Sequence, residues 1–197
     1  MADSLAPEAL KPLLRGRFGQ TYRYVERTPS TQRLLAADDA EGTVAAADEQ
    51  TEGRGRLGRT WEAPPGTSVL ASILLVPPVE AARLPELSLL AGGAVAEAIR
   101  AVTGIEPSIE FPNDVLIGGR KVAGILAESS EGRVVLGIGV NVNQTLTELP
   151  TEVTREPTSL SLELKRPVDR AQLLAAILLQ LERAYDAWVL SGTSASG

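Results

Sequence analysis

The sequence predicts an α+β fold, on three observations. Two segments carry a helical period: Leu84, Leu87, Ala91, Val95, Ala98 and Val102 within residues 84–102, and Leu173, Leu174, Ile177, Leu178, Leu181, Tyr185 and Trp188 within residues 169–190. Gly118-Gly119, between Val115-Leu116-Ile117 and Arg120-Lys121-Val122, is a two-residue turn signal for a β-hairpin. Short apolar runs of strand length recur at residues 43–48, 67–76, 122–127 and 133–142. A chain of 197 residues with 44% hydrophobic content can bury a sizeable core, so one domain over residues 1–190 is expected. Residues 191–197 are small and polar and read as a disordered tail.

In chain order, residues 7–15 suit a short helix with Leu10, Leu13 and Leu14 on one side, and residues 22–25 a short strand. Thr28-Pro29-Ser30-Thr31 reads as a turn into a helix, with Ser30 or Thr31 as its cap and Leu34 and Leu35 facing inward. Those hydroxyls either only cap the helix or also meet a ligand's polar edge. Residues 43–48 fit a buried strand, with Gln50 at its end, and Pro64-Pro65-Gly66 precedes the strand at 67–76. Residues 84–102 form a core helix, and residues 106–111 a short strand broken by Pro112-Asn113-Asp114.

The hairpin arithmetic is specific. With Ile117 opposite Arg120 and Leu116 opposite Lys121, Asp114 and Lys121 share one face a diagonal step apart, roughly 7–8 Å between backbones. A surface salt bridge explains that geometry as well as a site does. The strand at 133–142 contains Gly137-Ile138-Gly139; glycines inside a strand often mark close approach by a ligand or another backbone. Asn141, at its end, is equally an ordinary turn residue. A polar loop at 145–156, a short helix at 158–164 and a long helix from 169, capped by Asp169, complete the chain.

Composition removes several function classes. The 19 basic against 25 acidic residues give a net charge of -6, which argues against a general nucleic-acid binder. There is no cysteine and no histidine, so thiolate chemistry, disulfides and the commonest general base are excluded. No signal peptide and no membrane-length apolar run is evident, and a soluble cytoplasmic protein without a membrane partner is expected. Against this acidic average stands Gly53-Arg54-Gly55-Arg56-Leu57-Gly58-Arg59, followed by Thr60-Trp61. Glycines let backbone N–H groups approach a ligand, and arginine forks suit carboxylate and phosphate oxygens. We read it as a loop that closes over a small anion; alone, it fits a solvated basic turn or a nucleic-acid contact equally well.

The motifs together resemble a known family. Ser30-Thr31-Gln32, Gln50 with the Gly-Arg loop, Pro112-Asn113-Asp114, Arg120-Lys121-Val122-Ala123-Gly124-Ile125-Leu126 and Gly137-Ile138-Gly139-Val140-Asn141 occur in the order seen in biotin protein ligases, over about residues 22–190. The resemblance implies a mixed β-sheet flanked by helices, like that of class II aminoacyl-tRNA synthetases. It implies two reactions: ATP-dependent activation of biotin to biotinyl-5′-AMP, then transfer to a lysine of a biotin carboxyl carrier domain. It implies that Ser30, Thr31, Gln32, Gln50, Arg54, Gly55, Arg56, Lys121, Gly124 and Leu126 bind biotin. Arg56, Arg59, Trp61, Asn113, Lys121 and Asn141 would bind the nucleotide. Lys121, Arg56 and Asp114 would be catalytic, with magnesium held by phosphates and waters and no protein metal site.

The pattern is broken in two places: Glu110-Phe111 stands where the family often has Lys-Trp, and Glu52 where it often has Ala. Neither an N-terminal DNA-binding domain nor the usual C-terminal barrel is expected from this sequence, and hence no operator binding. Monomer and homodimer are both open. A lipoate or octanoate ligase or transferase of the same fold, and a catalytically weak biotin-binding module, are the alternative readings.

Overall fold

The computed structural model describes residues 3–151 and 155–193. Among these residues, seven strands form one sheet in the order β1-β2-β3-β7-β6-β5-β4. They are β1 (Tyr22–Thr28), β2 (Val44–Gln50), β3 (Ser68–Leu75), β4 (Ser108–Glu110), β5 (Asp114–Ile117), β6 (Arg120–Ser130) and β7 (Arg133–Asn141). β1 and β2 run parallel and every other pairing is antiparallel, so the sheet is mixed. The helices are α1 (Pro7–Leu10), α2 (Glu86–Thr103), α3 (Leu160–Leu164) and α4 (Arg170–Thr193).

The predicted helical periods are the buried ones. Leu87, Ala91, Val95 and Ala98 of α2, and Leu173, Leu174, Ile177, Leu178 and Leu181 of α4, pack in the core. These helices pack on each other and cover one face of the sheet, α2 against β4, β5 and β6 and α4 against β3. No helix among the described residues is long and apolar enough to cross a membrane. Asp169 caps α4 as expected, accepting from the Gln172 N–H at 2.9 Å. The helix continues to Thr193, so residues 191–193 belong to it rather than to a disordered tail; residues 194–197 lie outside the described residues.

β1 is longer than its apolar stretch. Glu26, Arg27 and Thr28 extend it because their backbone pairs with the end of β2, where Thr28 lies opposite Gln50. Two polar strand ends thus lie side by side. Behind them, Arg170 is 2% exposed and ties the N-terminal segment to the sheet. It donates to Asp3 Oδ2 at 2.9 Å, to Asp48 Oδ1 at 2.8 Å and to the Ser68 carbonyl at 3.2 Å. The Tyr24 hydroxyl donates to Asp48 at 2.6 Å; burial, reinforced by that carboxylate, pushes the phenol up to about 12.

A further expectation needs correction. Ser30-Thr31 does not start an α-helix, and neither side chain caps one: residues Thr31–Leu34 form a single 3-10 turn with no side-chain cap bond, and Leu34 and Leu35 are only half-buried. The Thr31 hydroxyl is drawn instead to Gln50 and Ser72, because the turn packs against β2, β3 and β7.

Candidate active site

The sheet face away from α2 and α4 carries a cleft of about 1590 Å3. All fifteen residues singled out above line it. Its floor is polar and pre-ordered. Gln50 Oε1 accepts from the Thr31 N–H at 2.8 Å and from the Thr31 hydroxyl at 3.0 Å, and Thr31 Oγ1 lies 2.7 Å from Ser72 Oγ. With Oε1 held by Thr31, the Gln50 amide turns its NH2 toward Gly53, where an added Cβ would lie 3.2 Å away. Ser72 lines the cleft and escaped the sequence reading; its signal was a lone hydroxyl inside the apolar run of β3.

The basic segment is a loop, as expected, and it is folded on itself. Its ends meet as an Arg54–Thr60 bridge, Gly55 N–H donates to the Arg59 carbonyl at 2.7 Å, and Trp61 N–H donates to the Gly53 carbonyl at 2.9 Å. The tip residue Leu57 takes φ 58°, a left-handed conformation uncommon outside glycine, and is exposed. Arg54 Nη2 donates to Gln32 Oε1 at 3.0 Å and to Glu128 Oε2 at 2.7 Å, and Arg56 Nη1 reaches Asn113 Oδ1 at 3.4 Å.

Loop closure depends on Gly53. A Cβ there would stand 2.2 Å from the Trp61 backbone carbonyl, a collision that no side-chain rotation relieves. Gly53→Ala is expected to part the loop ends and weaken binding of biotin, the acid that the resemblance implies, by about tenfold or more, about 1.4 kcal/mol, with the melting temperature nearly unchanged. Calorimetry alongside thermal unfolding checks this; unchanged affinity contradicts it.

The hairpin supplies the opposing charge. Gly118 and Gly119 take φ 56° and 79°, the positive values a two-residue turn requires. The expected register holds at the turn, with Ile117 opposite Arg120 and Leu116 opposite Lys121, but then slips. Val115 pairs with Ala123 and Asp114 with Gly124, so Val122 is an extra residue, a β-bulge. The bulge has a consequence for the site. In an unbroken strand Lys121 and Gly124 would face opposite sides. Here Val122, Ala123 and Ile125 pack in the core while Lys121, Gly124 and Leu126 line the cleft. Asp114 lands on the same face and its Oδ1 lies 2.8 Å from Lys121 Nζ; the two side chains are 21% and 26% exposed. Asn113 pins the bulge, with Nδ2 donating to the Ile125 carbonyl at 3.0 Å and its own carbonyl accepting from Ile125 N–H at 2.9 Å.

Trp61 explains two of the strand glycines. A Cβ on Gly139 would lie 2.6 Å from its indole and one on Gly124 2.8 Å, so these positions leave room for a flat ring against the sheet. The indole Nε1 is buried without a hydrogen-bond partner, and Lys121 Nζ lies 5.6 Å from the ring centroid. An unmet buried donor beside a cation suits a ligand that brings an acceptor and negative charge. Asn141 lines the cleft but is 4% exposed, with its amide donating to the Thr158 carbonyl at 3.1 Å and accepting from Gln144 at 3.0 Å. It shapes the wall through those bonds.

The two acidic departures are each paired. Glu52 lies 2.8 Å from Arg33, and Glu110 pairs with Arg155. Neither leaves an unbalanced negative charge at the cleft. Among the described residues, no three acidic groups converge as a metal site.

In sequence, residues 24–144 match the biotin/lipoate A/B protein ligase family, and the chain belongs to that family. Its fold agrees: the biotin protein ligase of Aquifex aeolicus, solved in complex with biotin and ATP, is similar with TM-score 0.78 and 35% identity, over 86% of this chain and 72% of that one. Among curated relatives, the bifunctional ligase/repressor BirA of Bacillus spizizenii is 40% identical over 183 residues, 88% of this chain and 56% of the relative. The biotin–[acetyl-CoA-carboxylase] ligase of Mycobacterium tuberculosis is 38% identical over 161 residues, 79% of this chain and 59% of the relative. The chain thus spans somewhat over half the length of these curated relatives.

Proposed function

We propose that this chain is the catalytic unit of a biotin protein ligase, which joins biotin to ATP as biotinyl-5′-AMP and then to a lysine of a carrier domain. The observation that carries the reading is the convergence on one cleft of a closed arginine loop and a hairpin lysine, in a fold whose relatives are named biotin ligases. The chemistry asks for that convergence. A carboxylate and a triphosphate repel each other, and two unit charges 4 Å apart in a protein-surface environment interact by about 4 kcal/mol. Fixed cations offset that repulsion and hold the reactants in contact.

In the first step a carboxylate oxygen of biotin bonds to the α-phosphorus, the bond from that phosphorus to the bridging oxygen breaks, and pyrophosphate leaves with the electron pair. Lys121 and Arg56 stabilise the charge that gathers on the α-phosphate. Ser30, Thr31, Gln32 and Gln50 offer the hydrogen-bonding edge for the ring end of biotin, with Arg54, Gly55, Gly124 and Leu126 around it. Trp61, Arg59, Asn113 and Asn141 border the nucleotide. In the second step the acceptor amine bonds to the acyl carbon, AMP leaves, and the amine gives up a proton that Asp114 is placed to receive. Magnesium, which favours oxygen ligands and keeps its waters, would be held largely by the phosphates and supply charge neutralisation. Closure of the loop keeps water from the mixed anhydride between the steps.

The test is pyrophosphate release with ATP, magnesium and biotin, run in parallel with lipoate and octanoate. Release with biotin, and none with the other two acids, is expected. Release with lipoate or octanoate in place of biotin would reassign the substrate, and biotin binding without release would make the chain a binding module.

A further inference from the structure

We propose that Arg155 is a further phosphate-binding residue of this cleft: it holds the terminal phosphates of the nucleotide, the part released as pyrophosphate, and Glu110 is its resting partner. The proposal rests on the ligase reading above and adds a residue outside the arginine loop and the hairpin.

The main chain brings Arg155 to the site. Lys121 N–H donates to the Glu156 carbonyl at 2.8 Å, and Thr158 N–H donates to the Lys121 carbonyl at 2.8 Å. Lys121 and Pro157 form a parallel bridge. The segment after Arg155 is therefore hydrogen-bonded to Lys121 itself. From there the guanidinium spans the end of the hairpin. Nη1 donates to the Gly119 carbonyl at 3.2 Å, and Nη2 pairs with Glu110 on β4, two strands away from β6.

Four charges then alternate. Glu110 lies directly opposite Asp114 across β4 and β5, and both line the cleft. Like charges at a directly paired position repel. They coexist because Lys121 sits on Asp114 and Arg155 on Glu110. The Arg155 and Glu110 side chains are 39% and 40% exposed, so their ion pair is weak and readily exchanged. A polyphosphate offers a guanidinium a stronger, bidentate partner. With Lys121 and Arg56 on the reacting carboxylate and α-phosphate, the Arg155 guanidinium, held at the Gly119 carbonyl and at Glu110 across from Asp114, is a further cation of the cleft for the oxygens beyond them. As the bond between the α-phosphorus and the bridging oxygen breaks, the electron pair goes to the departing pyrophosphate, and Arg155 stabilises that charge. No proton moves.

The experiment compares the parent chain with R155A and E110Q, using forward adenylation, the reverse formation of ATP from biotinyl-AMP and pyrophosphate, and calorimetric titration with biotin and with pyrophosphate. R155A is expected to raise KM for ATP and for pyrophosphate by about 10- to 100-fold, with biotin affinity unchanged. E110Q, which frees the guanidinium, is expected to keep both KM values at or below those of the parent. R155A with unchanged KM for both phosphates, or E110Q impaired as R155A is, would overturn the assignment. If the parent chain forms no adenylate, the ligase reading fails on its own, and pyrophosphate titration of the parent against R155A still decides the role of Arg155.

Discussion

Lys121→Ala is expected to slow biotinyl-AMP formation by about 100- to 1000-fold while the chain still folds and holds biotin, more weakly, by its ring end. The reason lies in where the bulge puts this lysine. Its ammonium faces the cleft, 26% exposed, so its charge is less screened there than on an open surface. It lies against Gly124, 3.4 Å from where a Cβ would stand, and near the Trp61 ring, so little conformational freedom is lost when a ligand arrives. An interaction made mainly as charge shifts onto the α-phosphate lowers kcat more than it raises KM. Single-turnover measurement of pyrophosphate release, beside the biotin dissociation constant, checks this. Arg56→Ala should fall in the same direction by less, because among the described residues Arg56 is held by a long 3.4 Å bond to Asn113 and competes with solvent. An unchanged chemical rate in Lys121→Ala would remove the central role given to the hairpin.

The second large effect is on stability. Arg170→Met keeps the side chain's bulk but leaves Asp3 and Asp48 without their shared cation, and it orphans the Ser68 carbonyl contact. Breaking a buried ion pair costs about 3–5 kcal/mol, and about 2–4 kcal/mol is expected here, because the carboxylates left behind, Asp3 and Asp48, are 32% and 23% exposed and partly hydrated. For a chain of this size that corresponds to a fall in melting temperature on the order of 10 °C. Denaturant titration measures it directly. The cost should reach the site too, because Asp48 lies on β2 two residues before Gln50, and fraying there would loosen the bond that orders Thr31. A variant as stable as the parent would mean that the cluster contributes nothing net.

Much of this was legible from local pattern. The two long helices show their 3.6-residue period because one face of each meets the sheet, and Gly118-Gly119 fixed the hairpin because only a few residues accept positive φ twice in succession. The bulge at Val122 was not legible: alternation counts residues and cannot see one that is left unpaired, although family motif order already grouped Lys121 with Gly124 and Leu126. Ser30 and Thr31 misled for a related reason. A hydroxyl before a helical pattern is a good cap locally, but here Gln50 and Ser72, distant in sequence, offered better partners. Arg155 lay in a stretch read only as polar loop, and its pairing with Glu110 is set by the sheet, not by neighbouring residues. Leu57 and Phe111, both exposed at or beside the cleft, gave no sequence signal of that placement.

The central claim is that loop and hairpin cations meet at one point between two anions. A crystal structure of this chain with a non-hydrolysable biotinyl-adenylate analogue tests it most directly. The linkage between the acyl and phosphate groups should lie within hydrogen-bonding distance of Lys121 Nζ, with residues 53–59 folded over it and Arg56 turned inward. An analogue bound with that linkage pointing away from Lys121, or with the ammonium still engaged only by Asp114, would contradict the account.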